Sequence, residues 1–178
     1  MRPWQLLWIN VVADGPPALA LAFDRNPDVM AQPPRPPSSQ LLDAASLRFV
    51  IMSGLVKALA GAALLGAMPQ LGYTLDETRT SVFLYESMTQ LVFVYPARRV
   101  RIIPETNHGI HLAVGIGLAI QALTVLLEPL RSLLGLVPVG VRLFSVILAL
   151  VLLTWGVAEL LSRRTQFGAR QAIPALTP

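Results

Sequence analysis

Gln5-Leu-Leu-Trp-Ile-Asn-Val-Val-Ala-Asp-Gly-Pro-Pro-Ala-Leu19 lies inside an apolar stretch of spanning length, Trp4 to Phe23, and carries Asn10, Asp14 and the trio Gly15-Pro16-Pro17 at its middle. A carboxylate near the centre of a bilayer costs roughly 2.5–3.5 kcal/mol on insertion scales, so it faces a bundle interior and marks an ion or proton path. Two consecutive prolines remove two backbone donors and free carbonyls on the preceding turn. In lipid those carbonyls must be satisfied by neighbouring helices, water or an ion. Asn10 and Asp14 are four residues apart, so their oxygens share one helix face beside the freed carbonyls. A membrane helix could build half of a cation site in this way.

The rest of the chain fits a membrane setting. Of its 178 residues 54% are hydrophobic and only 13% charged, against about 25% charged in a soluble domain. Several apolar stretches approach 20 residues, which predicts an all-α polytopic bundle of about five membrane spans. With no cysteine, neither disulfides nor a thiolate metal site is available. The net charge is +4, and Lys57 is the only lysine beside the arginines. Placed at loop ends, that charge reads as topogenic and not as a nucleic-acid surface. The first apolar stretch is too long, and its Asp and Pro pair too disruptive, for a cleavable signal peptide.

Spans are expected at about 4–23, 47–68, 78–95, 110–127 and 141–161, making residues 1–164 one membrane domain. Residues 24–46 form a proline- and serine-rich loop, stiff and extended. The second span is bounded by Ser46 as a candidate N-cap and Pro69 as a stop, and Gly54, Ala58, Gly61, Ala62 and Gly66 offer a small-residue stripe for close packing. Lys57 inside it reads as a snorkelling or internally paired lysine. In the third span Glu86 and Gln90 are four apart on one face, and Glu86 would pair with Lys57 or Arg79, or act at a site. His111 reads as a packed or interfacial histidine, and Glu159 as an interfacial partner of Arg163 and Arg164. The tail 165–178 is expected to be disordered.

Arginine placement sets an orientation. Arg25, Arg35, Arg48, Arg98, Arg99, Arg101, Arg163, Arg164 and Arg170 fall on one side, while Arg2, Arg79, Arg131 and Arg142 fall on the other. The excess puts the proline-rich loop and the C-terminus in the cytoplasm and the N-terminus outside, in a plasma or inner membrane.

The run QLLWINVVADGPPALALAFD, with Pro27, Asp28, Met30 and Pro33-Pro34-Arg35 after it, resembles the sixth transmembrane helix and following loop of cation-transporting P-type ATPases. The calcium-pump-like and sodium-pump-like branch is the nearest in pattern. There the helix reads roughly QLLW-(I/V)-N-L-V-T-D-G-(L/P)-P-A-L-A-L, and the loop P-x-D-x-M-x-(R/K)-P-P-R. The stretch from Thr78 to Leu91 is similar to the family's eighth helix. The resemblance thus covers helices six to ten and implies Asn10, Asp14 and Gln90 as ligands of a transported cation, with Glu86 a weaker candidate. It also implies that loop 24–46 couples the membrane domain to a cytoplasmic catalytic part. Ala13 stands where many relatives have Thr, and Gln32 where a basic residue is common.

These residues contain no D-K-T-G-T phosphorylation motif, no T-G-E and no P-loop. The expectation is therefore a C-terminal membrane domain that is not an enzyme on its own and needs no cofactor. It would supply part of a site for Ca²⁺, Mn²⁺, Mg²⁺, Na⁺ or K⁺, as a split subunit or a truncated remnant. Asn10 and Asp14 offer too few oxygens alone, since Ca²⁺ takes about six to eight. The partners expected are the lipid bilayer and an N-terminal pump half or another transporter, with no nucleic acid. Two other classes stay open: a stand-alone regulatory or scaffold membrane protein, and a small cation channel or carrier using Asp14 and Glu86.

Overall fold

In a computed structural model, residues 3–23, 44–100 and 106–171 are described, and every regular element among them is helical. The order is α1 (Pro3–Trp8), a π-helical turn (Ile9–Asp14), α2 (Gly15–Ala22), α3 (Ala44–Gln70), α4 (Leu75–Val92), α5 (Val94–Arg98), α6 (His108–Leu126), α7 (Glu128–Leu134) and α8 (Val141–Gln171). The all-α membrane bundle expected from composition is what forms. Among the described residues three helices are long and apolar enough to cross a bilayer: α3, α6 and the Val141–Arg164 part of α8. At 1.5 Å per residue the 27 residues of α3 reach about 40 Å, beyond a hydrocarbon core of about 30 Å. Its outer face, with Leu47, Val50, Ile51, Leu55 and Leu59 exposed, suits acyl chains.

The helix at the centre is the polar one. α4 packs against α3, α8, α6 and the π turn, and more than half of its residues are buried. Its hydroxyls satisfy themselves along the helix: Thr78 on the Thr74 carbonyl at 2.9 Å, Ser81 on Glu77 at 2.8 Å, Ser87 on Phe83 at 2.7 Å, and Thr89 on Tyr85. Small hydroxyls bonded in this way let neighbouring helices close in without leaving a donor stranded. α4 opens with a capping box missed in the sequence, Thr74-Leu-Asp-Glu77. The Thr74 hydroxyl accepts from the Glu77 amide at 3.2 Å while the Glu77 carboxylate takes the Thr74 amide at 2.8 Å. Those two bonds from Thr74, backbone first and then hydroxyl, hold the Glu77 carboxyl below the usual carboxylate range.

Three readings change in the structure. Ser46 is not an N-cap but a buried residue inside α3, because the helix already runs at Ala44. Pro69 lies in the last turn of α3, one residue before its end, so it stops the helix from just inside. The small-residue stripe does not face the bundle. The buried seam is Ser46, Phe49, Ser53, Gly61, Leu64 and Met68, and only Gly61 belongs to both sets. Between α6 and α8, Glu128–Leu134 forms the short helix α7. Gly135, at φ +62°, ends it by turning the chain left-handed so that the Leu136 amide reaches the Arg131 carbonyl at 2.9 Å. α8 continues to Gln171, through the first half of the expected tail; residues 172–178, most of the proline-rich loop (24–43) and residues 101–105 lie outside the described set.

At Gly117 α6 packs tightly onto α4. A Cβ there would stand 2.5 Å from Leu91 Cδ2, and Leu91 is fully buried. Gly117→Val is therefore expected to cost about 1–3 kcal/mol through overpacking. Unfolding in mixed micelles measures it, with the exposed Gly115→Val as the control that stays near wild type.

Candidate functional site

The first span is helical throughout but broken in register. Pro16 and Pro17 stand at the start of α2 and donate no N–H, so an α-helix continued upstream would lose its bonds to the Val12 and Ala13 carbonyls. The chain answers with the π turn over Ile9–Asp14, the segment that holds both candidate ligands. Such turns occur where a helix accommodates a local irregularity, frequently at functional sites.

The neighbours that hold this turn were not legible in the sequence. Gln5, buried in α1, donates through Nε2 to the Leu134 carbonyl at 3.1 Å, at the end of α7. Trp8 Nε1 donates to Gln121 Oε1 in α6 at 3.2 Å. On the far side, Asn107 Nδ2 donates to the Ala20 carbonyl at 3.1 Å and ties α2 to the start of α6. Ala13 is buried, in one core cluster with Leu91 and Val94. The turn is thus pinned from both ends and pressed onto α4.

Asp14 is half-buried and Asn10 exposed, so the two oxygens do not share one environment. Among the described residues neither side chain has a hydrogen-bond or ion-pair partner. A carboxylate left unengaged on a bundle helix has all its oxygen lone pairs available to an outside group. Val12 and Ala13, whose carbonyls lose their α-helical donors because residues 16 and 17 are prolines, lie within the same turn.

Glu86 and Gln90 are brought together, and by Lys57. Its Nζ lies 3.0 Å from Glu86 Oε2 and donates to Gln90 Oε1 at 2.6 Å. Of the two partners open for Glu86, the structure selects Lys57; Arg79 pairs instead with Asp76 at 3.4 Å. No hydrogen bond or ion pair among the described residues joins this group to Asn10 or Asp14. No three acidic, cysteine or histidine side chains among those residues gather as a metal site.

The remaining polar groups are structural. His111 is exposed and stacks on Tyr95 with ring centroids 5.5 Å apart, its Nδ1 within 3.1 Å of the Tyr95 hydroxyl. Glu159 is buried and takes Arg163 at 3.0 Å as expected. It also takes Arg99 from beyond α5, a partner that sequence proximity did not suggest.

Comparison with known proteins adds the frame for this geometry. Residues 1–164 match the family model described as cation transporting ATPase, C-terminus. The chain is 30% identical to calcium-transporting ATPase 1 of Bacillus cereus over 184 aligned positions, covering 91% of this chain and 19% of that protein. It is 26% identical to calcium-transporting ATPase 1 of Schizosaccharomyces pombe, covering 84% of this chain and 17% of the relative. It is also 45% identical over 60 residues to an endoplasmic reticulum-type calcium-transporting ATPase of Arabidopsis thaliana. The chain spans less than a fifth of the length of these relatives.

Proposed function

The chain belongs to the family of cation-transporting ATPase C-terminal regions, and from that premise we propose that it forms the C-terminal half of an ion pathway in which Asn10 and Asp14 are ligands of the transported cation. The observation that carries this reading is the π turn. It sits in a membrane helix, is followed by two prolines, and holds a half-buried carboxylate without a partner among the described residues. Ca²⁺ is the first ion to test, because the relatives are named as calcium-transporting and a carboxylate, an amide oxygen and freed carbonyls are hard oxygen donors. The remaining oxygens come from helices outside these 178 residues.

In this reading Pro3–Ala22 and α4 complete the five spans, with the proline-rich loop and the C-terminus in the cytoplasm. Phosphoryl transfer and nucleotide binding belong to cytoplasmic domains outside these residues, carried on the same polypeptide or on a separate one. The 178-residue chain supplies no phosphorylated aspartate motif, so its part is to bind and pass the ion.

The test is to tag the chain in its native membrane, solubilise it gently and incubate the recovered material with labelled ATP and Ca²⁺. The expected result is an acid-stable, Ca²⁺-dependent phosphoenzyme on the tagged polypeptide or on one recovered with it. Material that forms no phosphoenzyme with Ca²⁺, Mn²⁺, Mg²⁺, Na⁺ or K⁺ would overturn the reading and leave a scaffold role.

A further inference from the structure

α3 and α4 meet through two reciprocal pairs, each spaced by four residues: Lys57 and Gly61 on α3, Glu86 and Gln90 on α4. The Lys57 ammonium touches both oxygens, at 3.0 Å from Glu86 Oε2 and 2.6 Å from Gln90 Oε1. Gly61 makes the room for this. A Cβ at that position would stand 3.1 Å from Glu86 Oε1, so a larger residue would push the carboxylate away. The backbone beneath is fixed as well. The Tyr85 hydroxyl donates to the Lys57 carbonyl at 3.2 Å and lies 3.1 Å from Thr154 Oγ1 of α8, locking three helices around the ammonium.

A carboxylate oxygen and an amide oxygen converging within 3.0 Å of one point are the donors a small cation uses. Here that point is filled by a positive charge on the end of a side chain. The Lys57–Glu86 pair is neutral as a unit, so a metal ion arriving beside it would meet no net attraction and the ammonium's repulsion. To enter, the ion would have to expel Lys57 into lipid or leave it unpaired, both costly for a charged group in a membrane.

We propose that Lys57 is a tethered cation that occupies an oxygen site formed by Glu86 and Gln90 and keeps metal cations out of it. The exclusion stands on its own geometry. Its consequence for transport, that an ion is offered the π turn and not the Glu86–Gln90 oxygens, rests on the function proposed above. Gln90 then acts by holding the ammonium, and Glu86 by neutralising it.

The full 178-residue chain in nanodiscs, with Tb³⁺ as luminescent probe and Ca²⁺ as competitor, tests this. Tyr85, whose ring is 3.7 Å from the Gly61 Cβ position, sensitises an ion bound beside Glu86. Lys57→Met is expected to gain at least about tenfold in Tyr-sensitised Tb³⁺ affinity over wild type. The gain should vanish in Lys57→Met/Glu86→Gln and persist in Lys57→Met/Asp14→Asn. A folded Lys57→Met with no gain, or a gain that survives Glu86→Gln, overturns the proposal. Should Lys57→Met fail to fold, the wild-type chain still decides. Lys57 is the only lysine, so ¹⁵N-lysine labelling yields one side-chain ammonium resonance. That resonance should stay unmoved by millimolar Ca²⁺ and shift in Glu86→Gln. Displacement by Ca²⁺, or indifference to Glu86→Gln, overturns the assignment. Failure of the Asn10/Asp14 reading would show separately, as an Asp14→Asn chain with unaltered Ca²⁺ response.

Discussion

Asp14→Asn is expected to raise the half-saturating Ca²⁺ concentration of the proposed pump by about 100-fold or more, with the protein inserting as before. The substitution keeps the shape of the side chain and removes its charge. Ca²⁺ affinity is tuned by the number of charged ligands and by the rigidity of the site. Asp14 supplies the only carboxylate on the π turn, so its loss takes the full negative charge from this part of the proposed site. A 100-fold loss corresponds to roughly 2.8 kcal/mol, at about 1.4 kcal/mol per decade. Stability should hardly move, because Asp14 is half-exposed and has no partner among the described residues. Ca²⁺-dependent phosphorylation of membranes carrying the variant gives the half-saturating concentration directly. An unchanged value would remove Asp14 from the ion path. The conservative exchange at Asn10 should be milder, since it is exposed and contributes a neutral oxygen.

Replacing Pro16 and Pro17 together by Ala is expected to stabilise the fold and damage the site. A proline in a helix interior costs about 3 kcal/mol relative to Ala, less near a helix start where its missing N–H is not needed. With alanines present, the amides of residues 16 and 17 can reach the Val12 and Ala13 carbonyls, and the π turn can relax to α-helical register. The gain in unfolding free energy should be about 2–3 kcal/mol in total. Relaxation also turns Asn10 and Asp14 relative to α4 and consumes the two carbonyls left for a cation. Ca²⁺ affinity should then fall by at least about tenfold. Unfolding in mixed micelles and the half-saturating Ca²⁺ concentration, measured on the same preparation, give both numbers. A variant that becomes more stable with its affinity intact would show that the π turn serves folding alone. A gain in stability with loss of affinity would match the stability–activity trade-off of strained functional segments.

Much of the architecture is legible from local chemistry. The apolar runs from Trp4, Leu47, Ile110 and Val141 state their length and therefore their setting. Asp14 and the two prolines announce a break in a membrane helix, because no bilayer tolerates that combination without a protein-lined interior. Where local reading fails, the reason is that a helix's surroundings are not written in its own periodicity. α4 looks the weakest membrane helix by composition and lies at the centre of the bundle, since Thr78, Ser81, Ser87 and Thr89 bond back to the preceding turn while Thr80 and Tyr85 bond to neighbouring segments. The small-residue stripe on α3 suggested the packing face, and the neighbours chose a different seam that shares only Gly61 with it.

The sequence by itself determined the class of the chain, its long apolar helices and the position of the break, because length, apolarity and missing amides act within a turn or two of where they occur. Tertiary structure alone decided which polar groups are engaged. Gln5 meets the Leu134 carbonyl 129 residues away, Trp8 meets Gln121 across 113, and Lys57 takes Glu86 and Gln90 from another helix while Asp14 is left open. Pairing of buried charges depends on which faces meet in space, and in a bundle that is settled by the packing of all the helices at once.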